Sequence, residues 1–373
     1  MSSSHSSLLT PNRLLITGGC GFIGLNLVKF FIKKGYTNIR ILDNLSIGTK
    51  ESLEHLLSEL SPFTKKETKN LTTYSLSPIE DSSLLTPNSS LSSKVELIIG
   101  DIRSKQACLK ATEDINAVIH LAAQAGVIPS IENPFYDCEI NVLGTLNLLY
   151  AAVENEVDKF IFASSNAPLG EHTPPLSEEK IPKPLSPYGA SKLACEAYCS
   201  AFYASYGLKT INFRFSNAYG PHCLHKNSVI AKFIKDGLLK EKLTIYGDGH
   251  QTRDFIHVDD ICQAIYSLLT TYSSLLTNNV WGNVFHLGTG KETSILGLAK
   301  LIQGFFNKEI KISFVPERKG EIKRNYSDIG RAKKIFSFNP SISLEHGIKQ
   351  VYEWFRVRDI EEIKAAQILS GSE

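Results

Sequence analysis

Two groups of residues have the types and spacing to do chemistry together. Tyr188 and Lys192 stand four apart in the run Tyr-Gly-Ala-Ser-Lys, and far upstream lies a glycine-rich turn, Gly18-Gly-Cys-Gly21-Phe22-Ile23-Gly24. Residues four apart share a helix face, so the Lys192 ammonium would lie beside the Tyr188 phenol and lower a pKa that is ordinarily about 10. A phenolate so placed can take a proton from a hydroxyl. Small residues in the turn let the backbone approach a pyrophosphate, and the N-terminus of the helix that follows favours its charge. Together the two groups predict an NAD site with its own general base, where the ring exchanges hydride as the phenol exchanges a proton.

The elements that must hold these groups are read outward from the turn. A buried strand over 13–17 enters it, an amphipathic helix to residue 34 leaves it, and a second strand over 39–42 ends at Asp43, which makes one βαβ unit. Asp43 follows Gly24 by roughly the 20 residues expected of a carboxylate that accepts from both ribose hydroxyls, and it would repel a 2′-phosphate, so NAD is favoured over NADP. Phe22, Ile23 and Asn44 complete that side of the predicted cofactor site. Asp101 and Ile102 follow a strand at 95–99 and would border the adenine, with Asp101 either accepting from its exocyclic amine or capping a helix at Arg103 or Ser104. The run His120-Leu121-Ala122-Ala123 ends a strand at 117–121 in small residues that let the cofactor lie against the sheet edge, while His120 itself reads as structural. A strand at 160–163 and a helix over 141–154 extend the alternation. The fold class is α/β, a doubly wound and mostly parallel Rossmann sheet with a smaller mixed α/β substrate domain.

The chain has 373 residues, 42% of them apolar, enough to bury a sizeable core. The expected layout is a tail over 1–10 and an NAD-binding domain over 11–185. That domain would carry a Ser/Thr/Pro-rich insertion near 61–93, read as a surface excursion or partly disordered. A mainly substrate-binding domain over 186–358, partly interwoven with the first, and a polar tail over 359–373 complete it. Leu344, Ile348, Val351 and Phe355 have the spacing of a closing helix with one apolar face. A net charge of +2 provides no field for nucleic acid. The seven cysteines form no C-x-x-C pair, Cys195 and Cys199 merely sharing a helix face, so no metal or redox role is expected. With no signal peptide and no apolar run that could span a bilayer, the protein is expected to be cytoplasmic, reduced and off the membrane.

Five motifs, in order, carry a family resemblance: T-G-G-C-G-F-I-G from Thr17, H-L-A-A-Q-A-G-V from His120, S-P-Y-G-A-S-K from Ser186, R-F-S-N-A-Y-G-P from Arg214 and T-I-Y-G-D-G-H-Q-T-R-D-F-I-H-V-D-D from Thr244. From Leu14 to Phe355 the chain resembles the extended short-chain dehydrogenase/reductases of the nucleotide-sugar epimerase and dehydratase group. The resemblance implies that Tyr188 is the general base, that Lys192 tunes it and holds the nicotinamide ribose, and that Ser165 bonds the reacting sugar oxygen. Independently, Ser186 and Pro187 make a good helix start just ahead of Tyr188. Family dehydratases follow the hydroxyl residue with Asp-Glu, where this chain has Asn166 and Ala167, and the glutamate of decarboxylases is also missing. Epimerisation is therefore the expected reaction, and a homodimer through two helices per subunit is implied as well.

For the substrate, the resemblance implies that Asn217, Arg253 and Arg318 surround a diphosphate, an anion that calls for guanidinium and amide donors. The segment ending at Tyr246 would frame the base, with Ser165 and Asn166 at the sugar. Asn325 matches the position that in hexose 4-epimerases gates substituent size, and it leaves room for an N-acetylated or carboxylated sugar. Ile128 stands where relatives acting on uronic acids often carry arginine, and Pro168-Leu169 replaces the aromatic usual before Gly170. The expected function is NAD-dependent epimerisation of a nucleotide sugar, at carbon 4 of a UDP-hexose. The alternatives are a carbon-2 epimerase of a CDP-sugar, a 4,6-dehydratase, and a non-catalytic relative that senses NAD or a nucleotide.

Overall fold

The computed structural model describes residues 13–78, 92–270, 280–317 and 322–369. The expected tail over 1–10 and Arg318 lie outside them. Short runs rich in β-branched and other apolar residues form strands, most buried on both faces. They are β1 (Leu14–Thr17), β2 (Asn38–Asp43), β3 (Phe63–Thr68), β4 (Leu71–Leu76), β5 (Ser93–Ile99), β6 (Ala117–His120), β7 (Lys159–Ser165) and β8 (Lys209–Phe215), joined by a further strand at Asn283–Leu287. The sheet runs 283–287, β8, β7, β6, β1, β2, β5, β4, β3. The helices α1 (Phe22–Lys33), α2 (Lys50–Leu60), α3 (Lys105–Thr112), α4 (Val127–Glu132), α5 (Pro134–Cys138), α6 (Gly144–Glu154) and α7 (Pro187–Tyr206) alternate with the strands, and one turn of π-helix, Glu139–Leu143, separates α5 from α6.

Register decides where chemistry can sit. In parallel pairing Thr17 is level with Leu42 on one side and His120 on the other, and His120 is level with Phe162. Asp43, Leu121 and Ser165 are thus delivered to one carboxyl edge. The strand order reverses beside β1, which makes the gap between β1 and β6 the place where such sheets bind ligands.

The insertion expected near 61–93 is in its first half an added part of the sheet. Residues 63–76 form the antiparallel hairpin of β3 and β4, with β4 paired to β5. Thr72, Tyr74 and Leu76 point inward, but Lys65, Lys66 and Glu67 on β3 are exposed, so no apolar alternation marks it. Such charges suit a strand with one unpaired side. Residues 79–91 lie outside the described part. The C-terminal stretch read as a tail continues as a helix, Ile360–Leu369, on whose one face Ile363 and Ala366 are buried.

By contacts the chain forms two units. The first is 1–168, 184–213 and 262–284; the second is 169–183, 214–261 and 285–373. The helix bearing Tyr188 therefore falls in the first unit rather than opening the second near residue 186. In the second, a helix at Leu344–Arg356 buries Ile348, Val351 and Phe355 along one face, as its spacing predicts.

Candidate functional site

In the first unit the glycine turn is shaped to receive a backbone-hugging ligand. Gly18 has φ +67°, and a Cβ there would lie 2.9 Å from Ala122 N. A Cβ on Gly24 would collide with the Gly18 carbonyl. Gly21 caps α1 without any side-chain hydrogen bond, so the start of α1 at Phe22 and Ile23 is left for an anion to complete. These are the features a dinucleotide pyrophosphate requires, and the residues present fit NAD.

Asp43 is buried at the end of β2. Its Oδ2 accepts from Cys20 N (2.9 Å) and its Oδ1 from Leu45 N (2.8 Å). Burial raises its pKa, and those two amides pull it down. Each carboxylate oxygen accepts more than one hydrogen bond, so capacity remains for ribose hydroxyls. Asn44 donates to Asp101 Oδ2 (3.1 Å), which ties the ends of β2 and β5 together. Of the two uses open to Asp101, capping belongs to its neighbour, since Ser104 caps α3. Asp101 instead accepts from the Arg103 backbone and guanidinium, which hold its pKa down to about 2. Ile102 is buried beside it, and Leu121, Ala122 and Ala123 follow β6 at the same edge.

The helix start ahead of Tyr188 forms as its sequence dictates: Ser186 Oγ accepts from Gly189 N, and Pro187 occupies the first turn. Tyr188 is hydrogen-bonded to Ser165 at the end of β7. Ser165 Oγ also accepts from Ala167 N (3.2 Å), which fixes the hydroxyl at the bend that follows. Asn166, between them, is buried. Lys192 departs from expectation. Its Nζ donates to the Ala163 carbonyl at 2.9 Å and lies 4.7 Å from the Phe162 ring centroid and 5.9 Å from that of Tyr188. Burial dominates both groups, pushing Tyr188 up to about 12 and Lys192 down. Burial therefore outweighs the lysine at the phenol in this structure, and the lysine's own hydrogen bond goes to a carbonyl.

The second unit holds a cleft of about 300 Å³ lined in part by Asn217, Asn227, Lys232, Tyr246, Gln251 and Arg253. Asn217 Nδ2 donates to Asp254 O (3.0 Å), and Arg253 Nη1 donates to Thr252 O and Ile322 O (2.8 and 2.7 Å). Asn325 stands opposite Arg253 in a short parallel pairing. Beneath them Asp254 is fully buried and accepts five hydrogen bonds, from Ser216, Thr289 twice, Gly290 and Ser327. The rest of the lining is largely apolar, with Ile230, Phe233, Ile245 and Phe255, so two cations, Lys232 and Arg253, stand over an apolar wall, a combination suited to a phosphorylated ligand with an apolar or aromatic part.

A family model described as the NAD dependent epimerase/dehydratase family matches residues 14–284. The chain belongs to this family. A putative UDP-glucose 4-epimerase of Methanocaldococcus jannaschii is 34% identical over 92% of this chain and 98% of its own. A UDP-glucuronate 4-epimerase of Thermodesulfobacterium geofontis is 32% identical over 95% and 99%. Among solved structures, a UDP-N-acetylglucosamine 4-epimerase from Methanobrevibacter ruminantium M1, in complex with UDP-N-acetylmuramic acid, aligns with a TM-score of 0.76 at 30% identity, over 93% of this chain and 99% of that one. NAD is the cofactor of this enzyme, and the doubly wound α/β fold is the one expected.

The epimerase-family enzyme contains site residues that its sequence does not announce. Asp137 and Asn141, on α5 and the π turn, are buried behind the Tyr188 helix. Asn227, Lys232 and Gln251 line the cleft. Asp137, Asn227 and Lys232 lie in stretches that read as ordinary surface, whereas Gln251 lies within the motif that starts at Thr244 and Asn141 opens an apolar helical run, the two signals that could have found them. Among the described residues no cluster of side chains could hold a metal ion, and no helix is long and apolar enough to cross a membrane.

Proposed function

We propose that the protein is a nucleotide-sugar 4-epimerase that keeps NAD bound and acts on a UDP-hexose, N-acetylated or otherwise substituted. The observation that carries this reading is the hydrogen-bonded Ser165–Tyr188 pair at the carboxyl end of β7, with Asn166 and Ala167 where elimination would need two further acids. When bound, NAD supplies the hydride acceptor and donor. Tyr188 then takes the proton of the sugar hydroxyl as that carbon is oxidised and gives it back as the carbon is reduced, while Ser165 holds the same oxygen. Lys192 contributes fixed positive charge beneath the ring, favouring the phenolate once a second cation adjoins it. Asn217, Tyr246, Arg253 and Arg318 would bind the nucleotide diphosphate, and the room at Asn325 would admit a substituent on the sugar. One pair serves both proton transfers, which is what an inversion without net oxidation demands.

We further place the enzyme in the cytoplasm as a homodimer. All seven cysteines are unpaired, in keeping with a reducing compartment. Tyr150 on α6 and Tyr198 and Tyr206 on α7 are exposed and apolar enough to meet a second copy.

The test is NMR of the purified protein with UDP-glucose, UDP-N-acetylglucosamine and UDP-glucuronate offered separately. A 4-epimer should appear from one of them, and Tyr188→Phe should slow it by about 10²- to 10⁴-fold. Three unchanged sugars in the presence of bound NAD would refute the reading and direct attention to carbon-2 chemistry on other nucleotides.

A further inference from the structure

Behind the Tyr188 helix lies a carboxylate to which the proposed reaction gives no task. Asp137 is 1% exposed, and carboxylates are seldom so deeply buried unless paired. Its Oδ2 accepts from Asn141 Nδ2 at 2.9 Å, and the Ser191 hydroxyl, on the Tyr188 helix itself, also hydrogen-bonds the carboxylate. Asn141 sits in the π turn, and such turns gather at functional sites. From there one amide reaches two other elements. Asn141 Oδ1 accepts from Gln124 N (2.8 Å), and Nδ2 lies 3.0 Å from Gln124 O and 3.2 Å from Ser191 Oγ. Ser191 donates to the Tyr188 carbonyl at 3.0 Å. Contacts that begin at Asp137 therefore run to the loop after Ala122 and Ala123 and to the helix of Tyr188 and Lys192.

We propose that Asp137 is a positioning residue for the Tyr188–Lys192 pair, its carboxylate fixing Asn141 and its negative charge setting how readily Tyr188 ionises. This rests on the reading of that pair as the reacting one. A buried anion disfavours a phenolate and favours an ammonium, so it acts on the two groups in the same sense. Burial is the largest influence on each, raising Tyr188 and lowering Lys192; Asp137 adds to the first and opposes the second. The other titratable groups facing the pair are Cys195, Glu196 and Cys199 on α7 and His120 on β6. Burial holds His120 neutral and keeps both thiols protonated near neutrality. Glu196 accepts from Ser164 Oγ at 2.5 Å, and Asp137 is the carboxylate whose charge acts on both Tyr188 and Lys192.

The test uses protein labelled at tyrosine ¹³Cζ, with the Tyr188 signal identified by its loss in Tyr188→Phe. Its pH titration is followed in the wild type, in Asp137→Asn and in Asp137→Ser, the serine removing the charge without crowding the clamp, so that one misfolded variant does not void the experiment. The midpoint is expected to move to lower pH in either uncharged variant and to stay near the wild-type value in Asp137→Glu. The pH profile of turnover should shift alike, with acid and alkaline limbs both moving to lower pH. A fall in turnover with both limbs in place, or an unmoved midpoint, would overturn the proposal. The titration requires no turnover, so a shifted midpoint in a protein inert to every sugar would sink the epimerase reading and spare this one. An active enzyme with an unmoved midpoint would do the reverse.

Discussion

Thr17 and His120, level in register on β1 and β6, share a 2.7 Å hydrogen bond whose direction their other partners fix. Thr17 Oγ1 accepts from Ala122 N and has its proton left for His120 Nδ1, which is an acceptor because the neutral ring carries its hydrogen on Nε2. On the far side Thr145 gives its own proton to the Asn141 carbonyl and must accept from His120 Nε2. The ring is thus a neutral tautomer with both nitrogens engaged, a strut across the cofactor edge rather than an acid or base.

That strut has a cost in acid. Burial pushes His120 down to about 3, whereas an unfolded histidine titrates near about 6.5. Between those values the unfolded chain binds a proton that the folded one refuses, so stability is fully present above the upper value and falls as pH drops through the window. His286 adds to the same slope. Thermal midpoints should decline from pH 7 to pH 4, and less steeply in His120→Asn; an identical slope in the variant would show that the ring does not titrate this way.

Gly18→Ala should disturb the cofactor cradle. The left-handed backbone disfavours a side chain by about 1–2 kcal/mol, and the new methyl would press on Ala122 N. NAD affinity should weaken by about tenfold or more, read by fluorescence titration with NADH. Undiminished affinity would mean that the turn does not touch the pyrophosphate.

Asp254→Asn should destabilise the second unit. Three backbone amides and two hydroxyls converge on this carboxylate, and an amide nitrogen in its place would face donors instead of accepting from them. A loss of about 3 kcal/mol is expected, read as a lowered denaturation midpoint. A variant as stable as the parent would contradict the network.

Asn325 pairs in register with Arg253, and the function proposed above makes it the gate on the size of the sugar's substituent. In Asn325→Tyr, turnover of an N-acetylated or carboxylated sugar should drop at least about tenfold relative to the plain hexose. Equal losses on all sugars in competition assays would remove Asn325 from the gate.

Much of the first unit was legible because its signals are local. Glycines mark the turn, apolar runs mark β1, β2 and β6, and Ser186-Pro187 marks the start of α7. What escaped depends on distant partners. The strand β3 is all but polar along its length and exists because β4 pairs with it; Tyr74 and Leu76 on β4 in turn need β5 to bury them. The π turn at 139–143 has no residue signature, and the partners of Asn141 within it, Asp137, Gln124 and Ser191, come from other elements. The balance at Tyr188 depends on the fold in the same way: spacing places Lys192 on the right face, but only the fold reveals that its Nζ donates to Ala163 and that burial raises the phenol's pKa.

The chain passes between its two units five times, so neither is a continuous stretch of coding sequence. The second unit cannot be truncated or grafted as one continuous cassette, because 184–213, which carries the Tyr188 helix, and 262–284 of the first unit lie between its parts. New specificity in such a scaffold has to arise residue by residue in the walls of the cleft, while the machinery that holds the dinucleotide is carried along unchanged.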